Sequence, residues 1–405
     1  MIHLLPPISS PVTGVIDLPA SKSISNRALI LSMLSYSDLP IHHLADCDDT
    51  RVMLHTLESN DNHFDIGAAG TSMRFLTAYL SKIAGEWTLT GSERMKQRPI
   101  KVLVDALNQL GAKIGYVEKE GYPPLRIFGS ALQGGEITLA GNISSQYISA
   151  LLMVAPTMQN GLTITLTGDI ISQPYIKMTL QMMENFGVKA TWNDHQITIP
   201  TQEYKPVEFS VESDWSAASY WYSIVSLSPK SEIKLLGLQK ESVQGDSKVA
   251  EIFTSLGVHT QYVSDGVNLT NNDNYSTTLT YNFSDQPDLT QTFVVCCCLH
   301  HIPFYFSGLQ TLKIKETDRI AALIHEMAKL GFVLHEPEEG SLAWCGEQSP
   351  IEAPAAIHTY EDHRMAMAFA PAALRLPIAI EHPEVVSKSY PKFWEDLQSV
   401  GFRIQ

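Results

Sequence analysis

The chain has 405 residues, more than one hydrophobic core usually organises, so we expect two domains of roughly 200 residues each. Its hydrophobic fraction of 44% and charged fraction of 18% are typical of a folded protein and argue against a disordered one. The formal net charge of −15 argues against a sequence-independent nucleic-acid binder, which needs a basic face. It leaves room for a local cationic site that binds a small anion.

The five cysteines form no CxxC pair and show no zinc-ligand spacing. Residues 296–298 are three consecutive cysteines within an apolar run, and we interpret them as small buried side chains in a reducing compartment. The N-terminal MIHLLPPISS has no basic leader region, and no stretch approaches the length of a membrane span. We therefore expect a cytoplasmic protein that is intact from Met1.

A short pattern recurs along the chain: a helical segment ends in a large apolar residue and a glycine, and a β-like run follows. Five copies lie 70 to 76 residues apart, with the glycine at Gly111, Gly187, Gly257, Gly331 and Gly401. A sixth, degenerate copy is predicted where a helix over residues 50–57 ends at Ser59-Asn60, because asparagine can replace glycine in a left-handed cap. Six copies divide three and three, with a boundary near Glu212, and indicate a mixed α/β fold.

The first candidate site is SKSISNR, residues 21–27, where two cations lie among three hydroxyls and an amide. An apolar helical run, residues 28–34, follows it. We expect a turn leading into a helix N-terminus, which favours an anion through free N–H groups and the helix dipole. A capped surface helix with solvated Lys22 and Arg27 is equally compatible with the composition.

The next three candidates also precede predicted helices. GAAGTSMR, residues 67–74, is a small-residue turn that allows close approach of a ligand. In RMKQRP three cations, Arg94, Lys96 and Arg98, form either an anion site or a solvated face. SSQ, residues 144–146, and SQPY, residues 172–175, form either a hydroxyl and amide cradle or simple caps.

In the C-terminal half, Asp288 is interpreted on its own as an N-cap of the cysteine-rich segment. KETDR, residues 315–319, opens a helix predicted over residues 320–330. Lys315 and Arg319 at i and i+4 would then share one face, with Glu316 beside them as a proton donor or acceptor.

Two further stretches complete the candidates. DHR, residues 362–364, starts another predicted helix, and His363 is interpreted as a structural or capping residue rather than a base. Lys388 follows in SKSYP. Cations at helix starts in both halves predict a polyanionic ligand, with charge stabilisation as the main catalytic device. No metal cluster, dinucleotide fingerprint or nucleophile elbow is present in the sequence.

These stretches together resemble one family. LPASKSISNRALIL, GAAGTSMRFLTA, RMKQRPI, SSQYISALL, KETDRI, DHRMAMA and SKSYP resemble, in this order, the signatures of 5-enolpyruvylshikimate-3-phosphate synthases. The resemblance implies an α/β (α+β) fold: a two-domain inside-out α/β barrel, each domain built of three βαβαββ units with pseudo-threefold symmetry. It places the first domain at residues 1–20 plus 212–405 and the second at residues 21–211.

The resemblance also implies an activity. Members transfer the enolpyruvyl group of phosphoenolpyruvate to the 5-hydroxyl of shikimate 3-phosphate and release phosphate. The reaction proceeds by addition and elimination through a tetrahedral intermediate, without metal or cofactor. The implied partners are these two small molecules alone, with no nucleic acid and no membrane, and we expect a monomer.

Residue roles follow from the matched motifs. The residues implied to hold shikimate 3-phosphate are Lys22, Ser23, Arg27, Ser144, Ser145, Gln146, Ser172, Tyr175, Asp288 and Lys315. Those implied to hold phosphoenolpyruvate are Lys22, Gly70, Thr71, Arg98, Gln146, Arg319, Arg364 and Lys388. The implied catalytic residues are Lys22, Asp288, which accepts the 5-hydroxyl proton, and Glu316, which protonates the methylene carbon.

The sequence departs from the family pattern at four positions. Ala68 replaces the usual asparagine, Phe75 the usual proline, Thr311 an asparagine and Gln173 a lysine. The sister enolpyruvyltransferase that acts on UDP-N-acetylglucosamine usually carries a loop cysteine as its acid, and this chain has no cysteine between Cys47 and Cys296. A non-catalytic anion-binding relative is the other alternative, and the joint presence of the three catalytic candidates argues against it.

Overall fold

The computed structural model describes residues 1–7, 11–351 and 355–405. The chain divides into two compact units, of which unit 1 is Met1–Ala20 with Glu212–Gln405 and unit 2 is Ser21–Val211. The chain therefore starts in unit 1, completes unit 2 and then returns to unit 1.

Strands and helices alternate along much of the chain. The first strands, in unit 1, are β1 (Ile2–Leu5) and β2 (Thr13–Asp17). Unit 2 contains α1 (Lys22–Leu34), β3 (Ile41–His42), α2 (Asp48–Glu58), β4 (His63–Asp65), α3 (Gly70–Lys82), β5 (Glu86–Thr90), α4 (Lys101–Gln109), β6 (Lys113–Tyr116), β7 (Leu125–Phe128), β8 (Gly135–Ala140), α5 (Ser145–Val154), β9 (Leu162–Thr167), α6 (Gln173–Asn185), β10 (Thr191–Asn193), β11 (Gln196–Ile199) and β12 (Phe209–Ser210).

The chain then returns to unit 1. Its remaining elements are α7 (Trp215–Leu227), β13 (Glu232–Leu236), α8 (Val249–Ile252), β14 (Leu256–Val263), β15 (Gly266–Tyr275), β16 (Leu279–Asn282), α9 (Thr290–Leu299), β17 (Phe304–Ser307), α10 (Arg319–Lys329), β18 (Leu342–Trp344), β19 (Ala355–Ile357), α11 (His363–Phe369), β20 (Ile378–Ile380), α12 (Phe393–Ser399) and β21 (Arg403–Ile404).

The sheets of the two units share one pairing order. In β10-β11-β9-β8, strands β8 and β9 pair in parallel, and β11 and β10 add antiparallel. The sheets β4-β5-β7-β6, β14-β15-β13-β2 and β19-β20-β1-β21 repeat this order, whereas β16-β17-β18 has one antiparallel strand fewer and β12-β3 is the parallel pair alone. This order supports three βαβαββ units per domain, which stays a prediction.

Buried helices form the core of each unit. Helices α1, α3 and α5 contact one another in unit 2, and in unit 1 helix α9 contacts α7 and α11. Every residue of α9 and α11 is buried, which explains the apolar runs at residues 293–299 and 365–369 of these helices. The three cysteines of α9 are 0% exposed free thiols, as predicted. Within the described ranges, no helix combines the length and apolar character that crossing a membrane requires.

The ends of the helices test the predicted caps. The five recurring glycines all have left-handed backbones, with φ from 77° at Gly257 to 102° at Gly111, which confirms their predicted conformation. The predicted cap at Asn60 is wrong: α2 leaves through Ser59 in an extended conformation, and Asn60 has no positive φ. After the predicted boundary near Glu212 the chain enters α7, whose cap is Asp214: its carboxylate accepts from the N–H of Ala217 at 2.9 Å.

Candidate active site

The SKSISNR segment is helical rather than a turn. The Ser21 hydroxyl accepts from the N–H of Ile24 at 3.5 Å, so Ser21 is the N-cap and α1 begins at Lys22. The predicted turn over residues 21–27 is therefore wrong. Lys22 and Ser23 lie in the first turn of the helix and Arg27 lies in the second, because one serine hydroxyl suffices to start the helix earlier than its apolar run suggests.

Lys22 is tied to the start of a second helix. Its Nζ lies 3.3 Å from Oδ2 of Asp49 in the first turn of α2, and both side chains are largely buried. The Ser72 hydroxyl in α3 donates to the Asp49 carbonyl at 2.9 Å. The N-terminal turns of α1, α2 and α3 are therefore held together beside the Lys22 ammonium.

Arg27 is buried, and the oxygens bonded to it are neutral. Its guanidinium donates to the hydroxyls of Thr179 at 2.7 Å and Ser149 at 3.1 Å, and to the carbonyls of Ser23 at 2.9 Å and Tyr175 at 3.4 Å. These contacts join α1 to α5 and α6. Burial lowers the pKa of Arg27 to about 10, so the group remains a cation at neutral pH. Since no carboxylate is among these partners, the positive charge is not cancelled locally.

Phe75 supplies a contact that sequence analysis missed. Its ring is fully buried, and the guanidinium carbon of Arg27 lies 5.2 Å from the ring centroid. The family's usual residue here is proline, so this face-on contact belongs to one of the noted departures. Cation–π geometry of this kind favours the charged form of a desolvated guanidinium. Ala68, the other departure in this turn, is exposed.

The starts of α3 and α5 meet through predicted ligand residues. The Gln146 amide donates to the Thr71 hydroxyl at 3.2 Å, and the Ser144 hydroxyl caps α5 by accepting from the N–H of Gln146 at 3.4 Å. A Cβ atom added at Gly70 would lie 2.6 Å from Nη1 of Arg98. The Arg98 guanidinium therefore packs directly on the Gly70 backbone, and a side chain at position 70 would displace it. Ser145, the first residue of α5, is also buried.

The remaining candidates of unit 2 separate into buried and solvated groups. Ser172 precedes α6 with a left-handed φ of 54° and is buried, and the next turn contains Tyr175. The Gln173 amide donates to the carbonyl of Ile170 at 3.3 Å, within its own loop. Lys96 is ion-paired with two exposed glutamates, so among the RMKQRP cations the solvated-face interpretation holds for Lys96 and fails for the buried Arg98.

In unit 1, Arg319 is the centre of an ionic cluster. Its Nε donates to Asp362 Oδ2 at 2.7 Å, its Nη1 to Asp288 Oδ1 at 3.0 Å and its Nη2 to Glu316 Oε2 at 3.1 Å. The residue is 1% exposed. Burial alone would lower its pKa, but the three carboxylates outweigh burial and raise it above the ordinary value.

Asp288 receives three cations. Arg364 Nη2 donates to its Oδ2 at 2.9 Å, and Lys315 Nζ lies 3.7 Å from its Oδ1, beside the contact with Arg319. Burial raises the pKa of Asp288, yet Arg364, Lys315 and Arg319 together hold it well below its usual range. The predicted N-cap role is wrong: the N-cap position of α9 is Leu289, and Asp288 lies in a short 3₁₀ turn with its carboxylate among the cations.

The KETDR segment is also arranged differently from the prediction. Helix α10 begins at Arg319, and Asp318 caps it by accepting from the N–H of Ala321 at 3.1 Å. Lys315 and Glu316 precede the helix, so the predicted i, i+4 face is wrong. The side chains of Lys315, Glu316 and Arg319 meet nevertheless. Lys315 and Arg319 both contact the Asp288 carboxylate, and Arg319 also contacts Glu316. Lys388 Nζ donates to Glu316 Oε1 at 2.9 Å, which brings the last candidate of unit 1 into the cluster.

Sequence analysis missed two carboxylates. Asp362 is fully buried, holds Arg319 and caps α11 by accepting from the N–H of Arg364 at 2.9 Å. Its position before a predicted helix was the available signal. His363 follows it at the helix start, buried, as the structural interpretation requires. Asp246 is buried near Asp288, and no feature of its SVQGDSK context indicates this.

The donor set suits organic anions. Across residues 1–7, 11–351 and 355–405, no group of three or more His, Cys, Asp or Glu side chains has an arrangement that could hold a metal ion. The two sets of site residues consist instead of lysine and arginine cations, hydroxyls and helix-start N–H groups, with two carboxylates, Asp288 and Glu316, in contact with cations. Such a set can bind anionic substrates, stabilise developing negative charge and exchange protons.

Comparison with known proteins gives consistent matches over the chain. A family model described as EPSP synthase (3-phosphoshikimate 1-carboxyvinyltransferase) matches residues 7–59 and 55–397. A Bacteroides fragilis protein of the name 3-phosphoshikimate 1-carboxyvinyltransferase is 56% identical over 398 residues, covering 98% of this chain and 97% of the relative. A Vibrio cholerae protein of the same name is 36% identical over 420 residues, covering 95% of this chain and 96% of the relative. The solved structure of an Acinetobacter baumannii EPSP synthase matches with a TM-score of 0.77 at 20% identity, over 100% of this chain and 99% of that chain, which confirms the predicted fold class.

The ionic cluster predicts a sharp difference between two arginine-to-lysine substitutions. Arg319→Lys keeps the charge but cannot bridge three carboxylates, so we expect it to lower the free energy of unfolding by about 2 kcal/mol or more. Arg126→Lys alters a pair in which both side chains are about half exposed, and we expect a change within about 0.5 kcal/mol. Urea unfolding of both variants at neutral pH measures this, and equal losses would contradict the central position of Arg319.

Proposed function

The chain belongs to the EPSP synthase family, and we propose that it transfers the carboxyvinyl group of phosphoenolpyruvate to the 5-hydroxyl of shikimate 3-phosphate and releases phosphate. The observation that carries the proposal is the cluster in which Asp288 and Glu316 contact Arg319, Arg364, Lys315 and Lys388. Acid–base groups beside several buried cations fit an addition to an anionic enol phosphate. The names of the curated relatives support the substrates.

Unit 2 supplies most of the proposed shikimate 3-phosphate site. The ligands assigned there are Lys22, Ser23, Arg27, Ser144, Ser145, Gln146, Ser172 and Tyr175, and unit 1 contributes Asp288 and Lys315. The starts of α1, α5 and α6 offer N–H groups and dipoles that suit a phosphate. Arg27 adds a positive charge that its neutral partners leave uncancelled, which favours the carboxylate or phosphate of this substrate.

Phosphoenolpyruvate is assigned to cations of both units. Its proposed ligands are Lys22, Gly70, Thr71, Arg98, Gln146, Arg319, Arg364 and Lys388. The contact of Gln146 with Thr71 and the packing of Arg98 on Gly70 support treating these four as one group. Two anionic substrates repel each other, so fixed cations supply proximity as well as charge stabilisation.

The proton transfers fall to the two carboxylates. The 5-hydroxyl oxygen attacks C2 of phosphoenolpyruvate while Asp288 takes the hydroxyl proton and Glu316 gives a proton to the C3 methylene. In the tetrahedral intermediate C3 is a methyl group. Elimination removes one of its protons, expels phosphate and leaves the enol ether of the product. Lys22 lies beside the reacting centre and balances negative charge.

Substrate binding also prepares the base. Arg364, Lys315 and Arg319 hold the pKa of Asp288 well below its usual range, which by itself makes a poor proton acceptor. An arriving carboxylate or phosphate shares these donors and brings negative charge near Asp288. Both effects raise the proton affinity of Asp288 at the moment when it must accept the 5-hydroxyl proton.

We also propose a monomeric, cytoplasmic enzyme. One chain supplies every residue of the two proposed substrate sites, and its cysteines are free thiols of the kind that a reducing cytosol maintains.

The substrate assignment predicts a conditional reaction. Purified protein should release phosphate from phosphoenolpyruvate only when shikimate 3-phosphate is present, because the acceptor hydroxyl must attack before phosphate can leave. A coupled phosphate assay measures this. Absence of release, or release only with UDP-N-acetylglucosamine, would overturn the assignment.

The acid role of Glu316 predicts a selective loss. Glu316→Gln keeps one of the two oxygens that Arg319 and Lys388 contact and cannot give a proton, so kcat should fall by about 10²- to 10⁴-fold while both substrates still bind. The matched control is Glu93→Gln, whose side chain is 87% exposed and which should retain full turnover. Steady-state kinetics with equilibrium binding separates the two effects, and unchanged turnover of the Glu316 variant would reject the role.

A further inference from the structure

Asp246 is a buried acid to which the proposed reaction gives no role. It lies in the short turn Gly245–Lys248 and is 4% exposed. The Ser216 hydroxyl in the first turn of α7 donates to its Oδ2. Its Oδ1 is buried and has no hydrogen-bond partner among the residues that the structure describes.

The loop that carries Asp246 is firmly anchored. The amide of the neighbouring Gln244 donates to Glu212 Oε2 at 2.9 Å and to the carbonyl of Ser213 at 2.8 Å, and its oxygen accepts from the N–H of Trp215 at 3.2 Å. Since the turn is fixed to the start of α7, Asp246 stays inside the unit rather than swinging into water. A buried carboxylate with one hydroxyl donor is poorly compensated when it is ionised.

The charges that face Asp246 differ in sign. Asp288, in the turn before α9, and Asp214, the cap of α7, disfavour a second negative charge, whereas Arg364 of α11 favours it. Burial first and Asp288 second raise the pKa of Asp246 to about 7, against the opposing effects of Arg364 and Ser216. Tyr281, at the end of β16, also faces it, and the phenol of Tyr281 is neutral in this pH range.

The protonation state of Asp246 changes the net charge at the ionic cluster. Lys315, Arg319, Arg364 and Lys388 are the cations of the cluster, and Asp288, Glu316 and Asp362 are its carboxylates. With all three carboxylates ionised, the named groups carry one surplus positive charge while Asp246 is neutral, and a protonated Glu316 adds one more. Ionised Asp246 would cancel that surplus beside Arg364.

We propose that Asp246 is a positioning residue that keeps a proton in the working enzyme and so reserves the positive charge of Arg364 for phosphoenolpyruvate. This rests on the proposed function, because it assigns Arg364 to that substrate. When Asp246 loses its proton, the local field becomes less favourable to an anion. The affinity for phosphoenolpyruvate then falls.

Asp246→Asn tests the proposal through the pH dependence of KM. The amide has the size of the acid, still accepts from Ser216 and stays neutral at every pH. We expect KM for phosphoenolpyruvate to rise between pH 6 and pH 8 in the wild type. The ratio of KM at pH 8 to KM at pH 6 should be at least three times larger in the wild type than in the variant. The control Asp265→Asn, at an exposed aspartate paired with Lys234, should behave as the wild type. Equal rises in wild type and Asp246→Asn would overturn the proposal.

Thermal unfolding provides a readout that needs no activity. The unfolded chain loses the aspartate proton near pH 4, whereas folded Asp246 keeps it up to about pH 7, so this group lowers stability as pH rises through that window. The Tm difference, Asp246→Asn minus wild type, should therefore be more positive at pH 8 than at pH 5. A Tm difference that does not change with pH would overturn the proposal. A pH-dependent Tm difference in a protein that shows no carboxyvinyl transfer would overturn the proposed function alone.

Ser216→Ala serves as a second variant if Asp246→Asn fails to fold. Loss of the hydroxyl removes a donor that favours ionised Asp246, so the pH at which KM for phosphoenolpyruvate rises should move to a more alkaline value. An unmoved or more acidic midpoint would contradict the proposal.

Discussion

Buried positive charge is the constraint on which the rest of unit 1 depends. Arg319 is 1% exposed, and acidic groups that lie directly on its guanidinium replace the water lost on burial. Three segments supply them: Asp288 before α9, Glu316 before α10 and Asp362 before α11. The starts of these helices must therefore meet, and this fixes how the helices pack. The same arrangement gathers Arg364, Lys315 and Lys388 around these carboxylates.

Unit 2 keeps its central cation in a different way. Arg27 is bonded to hydroxyls and carbonyls of α1, α5 and α6, and its guanidinium lies over the ring of Phe75. Neutral partners hold the group in position without cancelling its charge. In unit 1 the carboxylates cancel much of the charge, and two of them are the acid and the base of the proposed reaction. We interpret the difference as a division of labour, with firm anion binding in unit 2 and proton exchange in unit 1.

The family, the fold class and the chemistry of the motifs were predictable because short strings such as SKSISNR and KETDR carry them. Local structure was less predictable. The hydroxyl of Ser21 starts α1 earlier than its apolar run indicates. Helix α10 starts only at Arg319, so Lys315 and Arg319 do not share the predicted helical face. Contacts made across the fold were not predictable. The proximity of Asp246 to Asp288, the bond from Asp362 to Arg319 and the stacking of Phe75 on Arg27 join segments far apart in sequence, and nothing local in the chain encodes them.

The central claim is that the cations of the unit 1 cluster turn from protein carboxylates to substrate during the reaction. A crystal structure with phosphoenolpyruvate and shikimate 3-phosphate bound tests it most directly. The account predicts that Arg364 and Lys388 donate to phosphoenolpyruvate and that the Asp288 carboxylate lies within hydrogen-bond distance of the 5-hydroxyl. Both substrates bound in reacting positions, with neither Arg364 nor Lys388 in contact with phosphoenolpyruvate, would contradict it.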